Sequence, residues 1–242
     1  MIIALTMGLL GCQAPTMSIE FLPMAGSEAF RCTSAWADLG TSKVIAQPLD
    51  ARLTISHIEL LTAAGAVGFE LDENSLQRDG LGLLDFEDAT GTCSGGDGVT
   101  SYQLQGQPKG AGPFTGLRFR FGAGASHQGS LAFLPRSMVD LVNQRAVGIS
   151  ASLIRGGTAW PLTWSGDDVT VQVDGVDATK TVVSFDLRAL FAPFEVGDAG
   201  CSMPPSEAGC APMTRVLATQ QQVILPTQYL VGQIDHQGHS TH

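Results

Sequence analysis

Short stretches of alternating apolar and polar side chains, separated by clusters of Gly, Pro, Asp and Ser, run through most of this chain. An extended backbone points successive side chains to opposite faces, so a period of two marks a strand with one face buried. Leu117-Arg118-Phe119-Arg120-Phe121 is the cleanest case, with three apolar side chains inward and two arginines outward. Residues 169–173 repeat it, with Thr170 and Gln172 facing out. Residues 53–60 begin the same way, with Leu53, Ile55 and His57 on one face. The phase shifts at His57-Ile58, which implies a bulge or burial on both faces. Further strands are predicted over 18–22, 43–47, 67–71, 102–106, 147–154, 181–187 and 215–224. Helical patterning is confined to 135–144, where Pro135 precedes a stripe of Met138, Leu141 and Val142, and to a shorter turn at 187–191. Neither could form the crossover layer of a parallel sheet. The expectation is an all-β, antiparallel β-sandwich with one short helix, its turns supplied by 29 Gly and 12 Pro.

Charge narrows the partners. With 13 Lys+Arg against 23 Asp+Glu the chain has a formal net charge of −10, and nucleic acid is not an expected partner, because phosphate binding rests on Lys and Arg. Residues 1–11 carry no charge and are shorter than the roughly twenty residues of a bilayer crossing. They are expected to be an export signal, although a basic leader is missing. Leu9-Leu10-Gly11-Cys12 has the form of a bacterial lipobox with Cys12 as the lipidated residue; the competing reading is a buried strand with a free thiol. The expected organisation is a lipoprotein signal (1–11), a lipidated tether (12–17), one sandwich domain (18–230) and a flexible His-rich tail (231–242). Membrane contact would be through the lipid anchor alone.

The remaining cysteines, Cys32, Cys93, Cys201 and Cys210, form an even set, which in an exported protein argues for two disulfides with three pairings open. A local Cys201–Cys210 closure is the easiest, leaving Cys32 and Cys93 as a long-range staple. A four-thiolate zinc site lacks any C-x2-C pair. No G-x-S-x-G, H-E-x-x-H, P-loop or strand-borne G-x-G-x-x-G motif is present, and the chain is not expected to be an enzyme. Ser126 and His127 are adjacent and point apart on an extended chain, so they do not make a nucleophile and base.

Several fragments carry a resemblance. They are Ile19-Glu20-Phe21, Phe30-Arg31-Cys32, Asp50-Ala51-Arg52-Leu53-Thr54-Ile55-Ser56-His57-Ile58-Glu59-Leu60 and Phe114-Thr115-Gly116-Leu117-Arg118-Phe119-Arg120-Phe121-Gly122, with residues 183–191 and Gly200-Cys201-Ser202-Met203 closing the series. The most specific is Leu83-Leu84-Asp85-Phe86-Glu87-Asp88-Ala89-Thr90-Gly91-Thr92-Cys93. In this order they resemble the MbnP-like family, the four-cysteine members of the metallo-mystery pair found with methanobactin copper systems. The resemblance implies a β-sandwich in the bacterial periplasm or at the outer-membrane surface that binds copper. It also implies a partner, a di-haem cytochrome c of the MbnH type, which oxidises a tryptophan of its MbnP to kynurenine. The family's Asn-His segment has Ser126-His127 as its nearest match, and its tryptophan-rich stretch is reduced to Trp160-Pro161-Leu162-Thr163-Trp164. Its His-Leu-Gly segment has only Val173-Asp174-Gly175, without an imidazole.

Copper favours imidazole nitrogen and soft sulfur. The histidines outside the tail are His57 and His127, the candidate ligands; Met24, Met203 and Met213 are candidate thioethers or core fillers. The tail residues His236, His239 and His242 could hold a divalent metal loosely. Trp160 or Trp164 is the candidate oxidised tryptophan, placed at a surface facing the haem partner, whereas Trp36 is expected to be buried. Calcium competes as a metal: Asp85, Glu87, Asp88 and Asp97 surround Cys93, and Asp167, Asp168, Asp174 and Asp177 crowd a second turn region, as hard oxygen donors or as solvated loops. The alternative function is a surface sandwich that binds protein or glycan, without a transition metal and stabilised by calcium.

Overall fold

One strand, Val44–Thr62, is paired along both edges and organises the molecule. The structure, a computed structural model, describes residues 16–95, 98–123, 129–140, 145–164, 170–192, 201–202 and 224–226. Along one edge of the long strand lies Ile149–Arg155, followed by Gly116–Phe121; along the other lie Trp36–Leu39, Leu81–Asp85 and Gly65–Leu71. Thr158–Trp164 extends the layer from Ile149–Arg155, and Thr170–Asp174 extends it from Gly116–Phe121. Gly65–Leu71 carries the ladder into a second layer of Gln103–Pro108, Met17–Ala25, Thr181–Asp186 and Ile224–Pro226. The two layers face each other as a β-sandwich, with Phe21 edge-on to Phe119 at 5.6 Å and Phe121 against Phe185 at 5.4 Å. Most pairs are antiparallel. Met17–Ala25 and Thr181–Asp186 run parallel, a pairing that alternation alone does not reveal.

The phase shift at His57-Ile58 is a bulge: Ser56 opposes Arg120 and Glu59 opposes Arg118, so the long strand holds one more residue than its partner. Gly116–Phe121 buries Leu117, Phe119 and Phe121 and turns Arg120 to solvent, as its alternation demands. Leu81–Asp85 was not expected as a strand. All five of its residues are buried, and a strand covered on both faces has no period of two to read.

The helix expected over 135–144 does not form in the described residues. A single 3-10 turn, Arg136–Met138, drives Met138 into a small satellite core with Leu81, Leu83, Leu134 and Ala146. The chain then turns extended at Val139, whose short strand Val139–Asp140 pairs with Arg145–Ala146; residues 141–144 lie outside the described residues. The α-helix is instead Leu187–Phe191. The Asp186 side chain caps it by accepting from the Arg188 amide at 3.0 Å, and Leu187, Leu190 and Phe191 enter the core. Of the strand expected over 215–224, only Ile224 is described.

Cys32 and Cys93 are joined, with a Cα–Cα distance of 5.6 Å, and both are fully buried. The second expected disulfide is not established: the backbone of Cys201 pairs with Leu162, while Cys210 lies outside the described residues.

Around the first disulfide the acidic residues find a partner within the chain. Arg52 donates from Nε to Asp85 Oδ2 at 2.7 Å, from Nη1 to Asp50 Oδ2 at 3.0 Å, and from Nη2 to Glu87 Oε1. Asp85 and Glu87 are each only 3% exposed. A guanidinium therefore stands where the calcium reading would put a cation. The Asp88 side chain accepts from the Thr90 amide and hydroxyl, and Asp177 does the same for Thr179. Asp97, Asp167 and Asp168 lie outside the described residues. Burial, with help from the charges of Asp88 and Asp85, pushes the Tyr102 phenol up to about 12. Burial also lifts the Asp50 carboxyl above its ordinary range, against the pull of Arg52 and of the Ala51 amide, and Asp50 Oδ1 has no hydrogen-bond partner among the described residues.

Two outcomes follow for stability. The double variant Cys32→Ala, Cys93→Ala lowers the unfolding free energy in urea by about 4 kcal/mol, the loop-entropy value for closing a sequence separation of 61 residues. A carboxyl whose folded pKa is raised favours the fold while protonated and loses that contribution as pH climbs through the folded pKa. Asp50→Asn keeps an acceptor for Arg52 and removes the buried charge. It raises the urea midpoint at pH 7, with the gain vanishing below about pH 4, near the unfolded carboxyl value.

Candidate functional site

The bulge decides where His57 goes. The extra residue puts His57 at φ 50°, a left-handed conformation rare for a side chain of this size, and turns it outward while Ser56 and Ile58 stay buried. Backbone strain of this kind persists only where the surroundings impose it, here the ladder on either side of the bulge. His57 lines an open cleft of about 470 Å³ together with Ser56, Phe69, Glu70, Asp79, Lys109 and Gly129.

The imidazole is also oriented. Ser56 Oγ donates its proton to the Gly122 carbonyl, so it meets His57 Nδ1, 3.1 Å away, as an acceptor. That fixes the proton on Nδ1 and leaves the Nε2 lone pair as the free donor of a neutral ring, the form that ligates metals. Ser56 is held in turn, since Gly122 donates its amide to the Thr54 carbonyl at 2.8 Å.

His127, the other candidate ligand, lies in 124–128, outside the described residues. Gly129, the next described residue, lines the cleft. Among the described residues no three His, Cys, Asp or Glu side chains converge as a ligand set. The described donors in the cleft are one imidazole and the carboxylates of Glu70 and Asp79, with Glu70 already paired to Lys109. One imidazole suits copper and is insufficient alone, because Cu(I) takes two or three such ligands. Among the described residues the cleft therefore does not hold a complete copper site.

The remaining candidates are elsewhere. Trp160 is not at the surface: it is 2% exposed, its ring 5.8 Å from Phe191, which also meets the buried Trp36 at 6.2 Å. Trp164 ends the strand Thr158–Trp164 in register with Ile149. Met24 is half-buried on Met17–Ala25. Cys12, Met203, Met213, His236, His239 and His242 lie outside the described residues.

Sequence reasoning missed Ser56, Glu70, Asp79 and Lys109 as residues of the cleft. One signal was available. Asp79-Gly80 joins Gln77–Arg78 to Leu81–Asp85 with φ 53° and 75°, the two left-handed residues of a two-residue hairpin turn, and an Asp-Gly pair between short strands is the pattern that encodes it.

Comparisons with protein-family models and with curated proteins in sequence return no match. Among solved structures the chain is similar to MbnP from Methylosinus trichosporium, over 84% of this chain and 88% of that one, with a TM-score of 0.66 and 17% sequence identity. At that identity the likeness establishes the fold, and the sandwich built around Val44–Thr62 is the MbnP fold.

Proposed function

We propose that this chain is an exported, lipid-anchored copper-binding protein of the bacterial periplasm or outer-membrane surface, acting with a di-haem cytochrome c of the MbnH type rather than as an enzyme itself. The observation that carries the reading is the oriented His57, its Nε2 free, on the wall of a cleft that Gly129 also lines, within an MbnP fold. His57 and His127 are the ligands in this reading. Ser56 holds the His57 ring in the tautomer that binds, and Phe69 and Ile58 give the cleft an apolar side. Bound copper would supply a redox-active centre able to exchange single electrons with a haem partner. Trp160 and Trp164 are the candidate sites of tryptophan oxidation in this reading; burial of Trp160 against Phe191 means that an electron leaves it through the core and not from an exposed indole.

The test is copper binding by the purified mature protein. Wild type retains about one equivalent of copper; His57→Ala and His127→Ala each weaken binding by at least tenfold while the melting temperature of the metal-free protein holds. After exposure to the oxidised haem partner, peptide mapping finds a kynurenine-type mass change at Trp160 or Trp164. Copper affinity indifferent to both histidine substitutions overturns the proposal. His57→Gly adds a control: relief of the left-handed backbone is offset by the entropy that glycine adds to the unfolded chain, so the stability of the metal-free protein changes little while the ligand is abolished.

A further inference from the structure

The cleft beside His57 is a fork in the sheet. Gly65–Leu71 pairs with the long strand only as far as Gly68, opposite Glu59, because the same edge is taken by Leu81–Asp85 from Ser56, opposite Leu81. Beyond Gly68 the strand peels away, and its other edge pairs with Gln103–Pro108. On an antiparallel strand alternate residues exchange both backbone bonds with one neighbour. The Lys109 amide donates to the Gly68 carbonyl at 2.8 Å and the Asp72 amide to the Gln105 carbonyl at 2.9 Å, so Gly68, Glu70 and Asp72 serve that neighbour. Phe69 and Leu71 therefore aim their amides and carbonyls the opposite way, into the fork, where no described strand meets them. Their side chains are each 7% exposed, so the core holds this backbone still while its hydrogen-bonding edge faces an open cleft.

We propose that the fork is a docking slot for an extended, basic segment of a partner protein, added as a strand along Phe69 to Leu71. The inference stands on backbone geometry and does not rest on the copper reading. An open strand edge is a template for another chain; main-chain bonds supply the attraction, and the side chains beside the edge supply the selectivity. Two donors and two acceptors are on offer here. The walls set the charge of the occupant. Lys109 is already paired with Glu70. Asp79, which also lines the cleft, accepts an uncharged partner, the Ser130 amide at 2.8 Å. Glu73 accepts the Asp79 amide at 2.9 Å and has Arg78 3.8 Å away in an exposed pair. A Lys or Arg flanking the added strand would meet a carboxylate on this wall, whereas a second copy of a chain with a net charge of −10 would bring like charge.

On the full mature chain, free of metal, amide hydrogen exchange is followed residue by residue. Without peptide, Phe69 and Leu71 exchange faster than Glu70 and Asp72, the alternation that an open edge requires. The probe is an acetylated, amidated heptapeptide of alternating Lys and Val. At a concentration about ten times its dissociation constant it slows Phe69 and Leu71 about tenfold and leaves Glu70 and Asp72 unchanged. Its backbone N-methylated counterpart, which keeps the charge and loses the N–H donors, gives no slowing, and a peptide of alternating Glu and Val binds about fivefold more weakly or less. Asp79→Asn suits the left-handed turn and keeps an acceptor for Ser130; it lowers affinity for the Lys peptide by about two- to fivefold. Equal exchange at all four amides without peptide, no slowing by the Lys peptide, or equal slowing by the N-methylated one overturns the slot. Equal binding of the Glu peptide overturns the basic occupant. Slowing at Phe69 and Leu71 that grows with protein concentration alone assigns the edge to a second copy and overturns it too.

Discussion

The hydrogen-bond ladder along both edges of Val44–Thr62 is the constraint on which the rest depends. A strand paired on two sides cannot rotate or slide without breaking both ladders, and a slip of one residue would send its buried side chains to the wrong face. One extra residue inside such a strand has nowhere to be absorbed, so it is expelled as a bulge. The residue expelled is His57, and its exposure, its strained backbone and its contact with Ser56 all follow from that mismatch with Gly116–Phe121.

The same strand sets the electrostatics at its other half. Asp50 and Arg52 are two apart and so share a face, on which Asp85 and Glu87 arrive from the neighbouring Leu81–Asp85 strand and the residues after it. One guanidinium among three carboxylates leaves the group short of positive charge. Burial lifts the Asp50 carboxyl above its ordinary range even with the Arg52 guanidinium 3.0 Å away. Thr92, beside Cys93, donates its hydroxyl to the Pro48 carbonyl, which ties the disulfide segment to the long strand two residues before Asp50.

Where one face of a strand meets water, the sequence displays the pattern: residues 117–121 and 170–174 alternate, and the phase shift at His57-Ile58 announces the bulge. Where both faces are covered the pattern disappears, and Leu81–Asp85 was unreadable for that reason. Residues 135–138 misled because Pro135 and Met138 suit the start of a helix equally well as a single turn, and the choice fell to the satellite core beneath Met138. The acidic run after Leu84 showed its charges but not their partner, since Arg52 lies on another strand. His57 was legible as a candidate from its residue type; its orientation was not, because it depends on the Gly122 carbonyl reaching Ser56 across the ladder.

The hairpin between Ile149–Arg155 and Thr158–Trp164 turns on Gly156-Gly157, both left-handed and with open space around the position of any added Cβ. Neither residue belongs to the wall of the His57 cleft. A tip with open space beside it can accept foreign chain without transmitting strain to the strands below it. It is thus a natural splice point for an affinity handle or a fluorophore, giving a grip on the molecule that leaves the histidine cleft untouched.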